Sequence, residues 1–222
     1  MKRRTLDIMF SVGGLLLAGL LLVMGIVLQS NANFAKDYTG DQLAAQQIKF
    51  KAADKLTDAE KAGAPCAIGY AGQALTTGKQ AECYSKYIGV HVASTAEGRT
   101  YASQGDFING LKAELATAQK ATPPDQAKIA DLNTKITSAT AARETLFKGE
   151  TLRGLLLTSY GFSVFGEKGG QGASVAFLVA GLMLVLSLAG LFHAYKTPRD
   201  KAFAVPAPVT NGARKVLVEA NA

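Results

Sequence analysis

Few residues in this 222-residue chain have the type and spacing that chemistry requires. Gly169-Gly170-Gln171-Gly172 has the composition of a phosphate-binding loop, but no Lys-Ser or Lys-Thr pair follows it and no strand is predicted before it. In Gly161-Phe162-Ser163-Val164-Phe165, Phe165 stands where a nucleophile elbow requires its second glycine. Neither stretch therefore predicts an active site.

Two long apolar runs determine where every other residue can lie. The first, residues 8–28, has no ionisable side chain, and the second, residues 173–195, has no Lys, Arg, Asp or Glu. A helix of the first run is roughly 31 Å long, which matches the ~30 Å hydrocarbon core of a bilayer. We predict two transmembrane helices. Small residues at helix-packing intervals predict that the two spans contact other helices: Gly14, Ala18, Ala176, Ala180, Gly190 and Ala194.

Basic residues flank both spans on their terminal sides. Lys2, Arg3 and Arg4 precede the first span, and Lys196, Arg199 and Lys201 follow the second. The positive-inside rule then places residues 1–7 and the tail 196–222 in the cytoplasm, and residues 29–172 outside a plasma membrane. The outer segment carries 16 basic and 14 acidic residues, so no nucleic-acid partner is expected. The composition of the tail predicts disorder.

A cleaved signal peptide is the alternative interpretation of the first span. Ser30-Asn31-Ala32 is a small-x-small triplet that follows an apolar core, as at a cleavage site. The apolar run is about twice as long as a typical signal core, which favours a membrane anchor.

The predicted topology separates the two histidines of the chain. His91 lies in the outer segment, whereas His193 lies at the cytoplasmic end of the second span. They cannot ligate one metal ion, so a bis-His haem or a two-His-one-carboxylate iron site is excluded within one chain. We expect no catalytic residue, metal or cofactor, and predict that the protein is not an enzyme.

Both cysteines, Cys66 and Cys83, lie in the outer segment. Disulfides persist in an oxidising compartment, so we expect these two residues to be bonded. The alternative is a pair of buried thiols.

Residue patterns typical of helix starts and of apolar helix faces occur throughout the outer segment. Thr57 and Glu60 fit a capping box, and Thr76-Thr77-Gly78 predicts a second helix start. Further on, Thr122 and Pro123 predict the cap and first residue of a helix that would pair with the one before it in an antiparallel hairpin. The apolar stripes of that hairpin are Phe107, Leu111, Leu115 and Ala118 on the first helix, and Ile129, Leu132, Ile136, Ala139 and Leu146 on the second. The predicted fold is mainly α.

The densest apolar stretch outside the spans is residues 152–165. It is too short to cross a bilayer, and the Ala- and Thr-rich helices before it offer little cover. We predict a partner-docking surface made of Leu152, Leu155, Leu156, Tyr160, Phe162 and Phe165. The Gly-rich residues 167–172 that follow predict a hinge.

Four segments together resemble a family of two-pass actinobacterial membrane proteins. They are YAGQ at residues 70–73, LTTGKQAECY at 75–84, RTY at 99–101, and FKGETLRGLLLTSYGFSVFG at 147–166, directly before the second span. Members are similar to the accessory factor of the respiratory supercomplex that joins a cytochrome bc complex to a cytochrome c oxidase. The resemblance implies a non-catalytic accessory subunit whose partners are subunits of those complexes and the lipid bilayer. The alternative is a membrane-anchored extracytoplasmic binding or sensing module.

Overall fold

The chain is almost entirely helical in the computed structural model, which describes residues 3–198. Six α-helices follow one another, with a short 3-10 helix (Ala53–Lys55) after the first: α1 Arg3–Ala45, α2 Asp58–Gly63, α3 Cys66–Gly69, α4 Gly78–Thr95, α5 Tyr101–Lys120 and α6 Gln126–Lys196. The described residues form no β-strand, only an isolated antiparallel bridge between Lys49 and Ala74. The predicted mainly α class is confirmed. Lys2, Arg199, Lys201 and the tail from residue 199 lie outside the described residues.

Two of these helices contain the predicted spans and extend well beyond them. α1 has 43 residues and α6 has 71. Both are long and apolar enough to cross a membrane. Within an apolar stretch of 18 residues in each helix, only 22% is buried in α1 and 17% in α6. The core helix of a soluble protein would be mostly buried, so this exposure favours contact with lipid or with another chain.

The hinge predicted at residues 167–172 is wrong, because α6 continues through it without a break. The glycines of this segment, and Gly166 just before it, lie against α1. A Cβ atom on Gly166 would lie 2.8 Å from the Cβ of Ala35, and one on Gly169 would lie 3.8 Å from the Cβ of Ala32. Packing against α1 therefore outweighs the low helix propensity of glycine in this stretch.

The chain divides into two compact units. One contains the apolar ends of the chain, up to Ile26 and from Ser174 onward, and the other is Val27–Ala173. In the first unit, the residues proposed for helix packing are all buried except Gly190, which is half-buried: Gly14, Ala18, Ala176, Ala180 and Ala194. A Cβ atom on Gly14 would overlap the Ser187 hydroxyl, and one on Gly190 would overlap that of Ser11.

The second unit has its own core, to which α1, α3, α4, α6 and the connecting segments contribute. Its buried members are Leu43, Phe50, Leu56, Ala64, Ala67, Leu75, Ala81, Cys83, Tyr87 and Leu156. Cys66 and Cys83 form the expected disulfide, with their Cα atoms 5.9 Å apart. Cys66 is the first residue of α3 and Cys83 lies in α4, so the bond links two helices.

The helix starts at Thr57 and Thr77 are confirmed. Both hydroxyls accept a hydrogen bond from the amide three residues on, and both caps are complete capping boxes. The start predicted at Thr122 is wrong, because α6 begins at Gln126 and the Asp125 carboxylate accepts a hydrogen bond from the Lys128 amide at 3.0 Å.

α5 packs against the first part of α6 through a small apolar cluster. Its buried members are Ile108, Leu111, Ala118, Leu132 and Ala139, with Leu115, Ile129 and Ile136 partly buried around them. Phe107, which was predicted to belong to this stripe, is exposed, and its ring centroid lies 4.2 Å from the Arg99 guanidinium carbon. Gln104 takes the inward position instead and donates a hydrogen bond to the Ala139 carbonyl at 3.0 Å.

Candidate functional site

The predicted docking stretch lies entirely within α6, and the structure divides its residues between surface and interior. Leu152, Leu155, Phe162 and Phe165 are exposed, with Phe165 at 79%. Tyr160 is half-buried. Leu156 is only 3% exposed and belongs to the core of the second unit. The expectation that Leu156 presents its side chain to a partner is therefore wrong.

An aromatic patch forms where α1 and α6 lie side by side. Phe34 and Tyr38 stack with their ring centroids 5.5 Å apart, and the Phe162 ring meets them edge-on at 6.5 and 6.3 Å. All three rings are exposed. We call Phe34, Tyr38 and Phe162 the aromatic patch. The sequence predicted Phe162 as a docking residue, but only the fold brings it together with Phe34 and Tyr38.

A buried carboxylate of α2 joins this helix to two other segments of the second unit. Glu60 of α2 is 1% exposed, and its Oε1 lies 2.7 Å from the Lys51 ammonium and 2.9 Å from Nε2 of His91. Its Oε2 accepts a hydrogen bond from the Thr57 amide at 2.8 Å. The Tyr87 ring covers the group, with its centroid 5.6 Å from the Lys51 ammonium and 4.9 Å from the His91 ring.

These contacts determine the charge states of the cluster. The hydrogen bond from Lys51, together with that from the Thr57 backbone, lowers the pKa of Glu60 from 4.5 to about 2. The same bond raises the pKa of Lys51 to about 12, and burial raises the pKa of Tyr87. A carboxylate with so low a pKa is a poor proton acceptor at neutral pH. The cluster is suited to holding helices together rather than to acid-base chemistry.

The second histidine lies in the first unit. Nε2 of His193 is 4.0 Å from Oδ2 of Asp7, and this oxygen is buried without a hydrogen-bond partner in the described part of the chain. Residues 3–198 contain no group of three or more His, Cys, Asp or Glu side chains that could hold a metal ion.

A cleft of about 940 Å³ runs beside α1 in the second unit. One wall is the face of α1 from Gln29 to Asp41, and the other walls are Tyr70, the start of α4 at residues 76–79, and residues 163–167 of α6. The cleft is kept narrow by a close helix contact, since a Cβ atom on Gly78 would overlap the Ser163 side chain. Sequence reasoning missed this cleft, because its walls come from four segments far apart in the chain.

The chain matches no protein-family model, no curated protein and no solved structure.

Proposed function

We propose that this protein is a non-catalytic accessory subunit of a larger membrane complex and docks through its aromatic patch and the neighbouring exposed residues of α6. In this proposal α1 and α6 cross the plasma membrane at residues 8–28 and 173–195, with both termini in the cytoplasm. Residues 29–172 then form an extracytoplasmic helical domain. The observation that carries the proposal is the exposure of Phe34, Tyr38, Phe162 and Phe165 on a unit that already has a core.

The exposed aromatic rings favour binding of a partner protein, because burying them contributes free energy to the association. Covering one Leu or Phe side chain is worth about 1.5–3 kcal/mol, and aromatic residues are enriched in the buried centres of interfaces. The patch rings are 59%, 50% and 40% exposed. A surface of this kind on a small domain favours association with another chain.

Distance along α6 favours a protein partner over lipid. Phe162 precedes the predicted span by 11 residues and Leu155 by 18, which corresponds to roughly 16 and 27 Å of helix. The headgroup layer of one leaflet is only about 5–7 Å thick. Leu155 is 62% exposed and lies too far along the helix for lipid to cover it.

The second element of the proposal is an antiparallel hairpin made of α5 and the first part of α6. Two long-range hydrogen bonds support it, from the Gln104 amide to the Ala139 carbonyl and from Nε of Arg143 to the Tyr101 carbonyl. Its outer face is polar, with an ion pair between Lys135 and Asp131 at 2.8 Å.

The partners follow from the family resemblance. A family member would bind subunits of the cytochrome bc complex or of the cytochrome c oxidase in an actinobacterial respiratory supercomplex. Purification of the tagged chain in a mild detergent, followed by mass spectrometry, should recover subunits of both. Recovery of the chain alone, or with unrelated proteins only, would contradict this assignment.

The docking surface is tested by substituting exposed residues only. We expect Leu155→Ser with Phe162→Ser to release the chain from its complex on a native gel while leaving it resistant to alkaline extraction from membranes. The matched control is Glu144→Ser with Lys148→Ser, an exposed ion pair on the same helix whose removal should change little. Full co-migration of the Leu155/Phe162 variant would show that α6 does not dock there.

A further inference from the structure

The cleft beside α1 is lined by a threonine hydroxyl that has no hydrogen-bond partner in the described part of the chain. Thr39 lines the cleft, is 4% exposed, and makes no side-chain hydrogen bond within the described residues. Helical threonines elsewhere in the chain, such as Thr134 and Thr140, donate to the carbonyl four residues back. The hydroxyl oxygen is not among the fully buried unpaired atoms, so it is open to water or a ligand in the cleft. Thr39 therefore offers a hydrogen bond to a ligand that can donate or accept one.

The charges of the cleft are mixed. Its lining includes the ammonium groups of Lys36 and Lys79 and the carboxylates of Asp37, Asp41 and Glu167, a formal charge of −1. None of the five makes an ion pair or a side-chain hydrogen bond in the described part of the chain. An anion would be repelled by the excess of carboxylate, and an apolar ligand would leave all five groups desolvated.

The start of α4 does not offer an anion site either. The amides of Thr76 and Thr77 both donate to Oε1 of Gln80, at 2.8 and 3.0 Å. The Gln80 amide in turn donates to the Thr77 hydroxyl at 3.2 Å. This helix end is already capped by its own residues, so a phosphate group has little to gain there.

The length of the cleft indicates the size of its ligand. Gln29 and Asp41 are twelve residues apart on one helix, which is roughly 18 Å along its axis. A volume of about 940 Å³ is at the upper end of the range for small-molecule sites. Gln29 also follows the predicted span directly in the same helix. The cleft thus begins where a lipid headgroup would begin and extends well past the headgroup layer.

We infer that the cleft binds carbohydrate, namely the sugar headgroup of a glycolipid whose acyl chains lie in the outer leaflet. Sugar hydroxyls both donate and accept, so they can bond to carboxylates, ammonium groups and the Thr39 hydroxyl at once. The half-buried Tyr70 ring and the amide side chains of Gln29 and Asn33 add a flat apolar face and further hydrogen-bonding groups. The assignment of the sugar to a glycolipid rests on the proposed placement of α1 in the membrane. The assignment of the ligand as a carbohydrate does not depend on that placement.

The test uses the full chain in phosphatidylcholine nanodiscs that also contain digalactosyldiacylglycerol. Native mass spectrometry of the released protein should find the galactolipid retained in preference to phosphatidylcholine. Thr39→Val, and separately Asp37→Asn with Asp41→Asn, should each reduce that retention about fivefold or more, as expected for the loss of buried or charge-assisted hydrogen bonds. Circular dichroism shows whether each variant keeps its helices.

Two matched controls change the same kinds of group, a hydroxyl and a carboxylate, at positions outside the cleft. Thr134→Val removes an exposed helical hydroxyl from α6, and Asp106→Asn neutralises an exposed carboxylate of α5. Both should retain galactolipid as the unmodified chain does. Equal retention of the two lipids by the unmodified chain, or an equal loss in the cleft variants and the controls, would overturn the inference.

A second measurement separates a lipid from a soluble sugar. Deacylated digalactosylglycerol is titrated against the chain in detergent by isothermal calorimetry. Weaker binding of this headgroup than of the intact lipid supports the glycolipid, whereas tight binding without lipid retention assigns the cleft to a soluble saccharide and refutes the lipid source. A chain that fails to insert in nanodiscs but binds the headgroup would contradict the proposed membrane placement and leave the carbohydrate site intact.

Discussion

At the scale of single residues, Glu60 shows how a local signal can belong to a wider network. The capping box Thr57–Glu60 is visible in the sequence because its two members are three residues apart. The other partners of the carboxylate, Lys51 and His91, lie 9 residues before it and 31 after it. No spacing rule connects them, so the sequence predicts the cap but not the buried cluster.

The first prediction concerns the pH dependence of this cluster. The pKa of Glu60 is lowered from 4.5 to about 2, so the stability that its charge contributes is present above pH 4.5 and is lost as the pH falls toward 2. Glu60→Gln should therefore lower the melting temperature at pH 7 and make it less sensitive to acid below pH 4.5. Thermal denaturation followed by circular dichroism between pH 2 and pH 7 measures both effects. An acid sensitivity equal to that of the unmodified chain would show that other carboxylates dominate.

The second prediction concerns the disulfide. The bond between Cys66 and Cys83 closes a loop of 17 residues, and the chain-entropy model gives it about 3 kcal/mol. Cys66→Ala with Cys83→Ala should lower the melting temperature by roughly 6–12 °C for a chain of this size. Non-reducing peptide mapping of protein made in its own membrane should find the two residues linked. Two unlinked thiols in that map would contradict the prediction.

At the scale of elements, the helix starts at Thr57 and Thr77 were predicted correctly, whereas the start at Thr122 and the hinge within α6 were wrong. Thr57 and Thr77 were found because a cap is a local arrangement of side chain and backbone. The hinge at residues 167–172 was inferred from glycine propensity, which counts for little once α1 packs against those glycines. Phe107 was misplaced for a related reason, because a buried Gln104 that bonds to Ala139 is invisible to a count of apolar residues.

The third prediction compares two glycines of α6. Alanine has the higher helix propensity, worth about 1 kcal/mol per residue, so Gly154→Ala, where nothing lies within 4 Å of the new Cβ atom, should stabilise the chain. Gly166→Ala should instead destabilise it by about 1–3 kcal/mol, because the new Cβ atom would lie 2.8 Å from that of Ala35 and 3.3 Å from the Ala32 carbonyl. Denaturant titration of both variants checks the opposite signs. Stabilisation by both substitutions would show that α1 and α6 can move apart at Gly166 without a loss of stability.

At the scale of the whole molecule, the two apolar helices were predictable because hydropathy over about twenty residues is a strong signal. The cleft and the aromatic patch were not, because each is assembled from segments more than 100 residues apart, such as Phe34 and Phe162. Predictions from sequence were therefore most reliable for elements and least reliable for the surfaces that elements build together.

The fourth prediction is the topology. Glu97 is an exposed residue between α4 and α5, and Asn211 lies in the tail outside the described residues. With both termini in the cytoplasm, Glu97→Cys should react with a membrane-impermeant thiol reagent in intact cells, whereas Asn211→Cys should react only after the cells are lysed. The disulfide keeps the two native cysteines from reacting. Labelling of position 211 alone in intact cells would reverse the topology and refute the proposed docking from outside.

The core of the second unit is completed late in the synthesis of the chain. Leu43 near the end of α1 and Leu156 of α6 pack in one cluster, although 113 residues separate them in the chain. At a synthesis rate of about 5–20 residues per second, the ribosome needs roughly 6–23 seconds to make that interval. In the proposed topology, the outer segment would cross the membrane during this time without the residue that completes its core. We therefore expect a chain truncated before Leu156 to be degraded by proteases faster than the full chain.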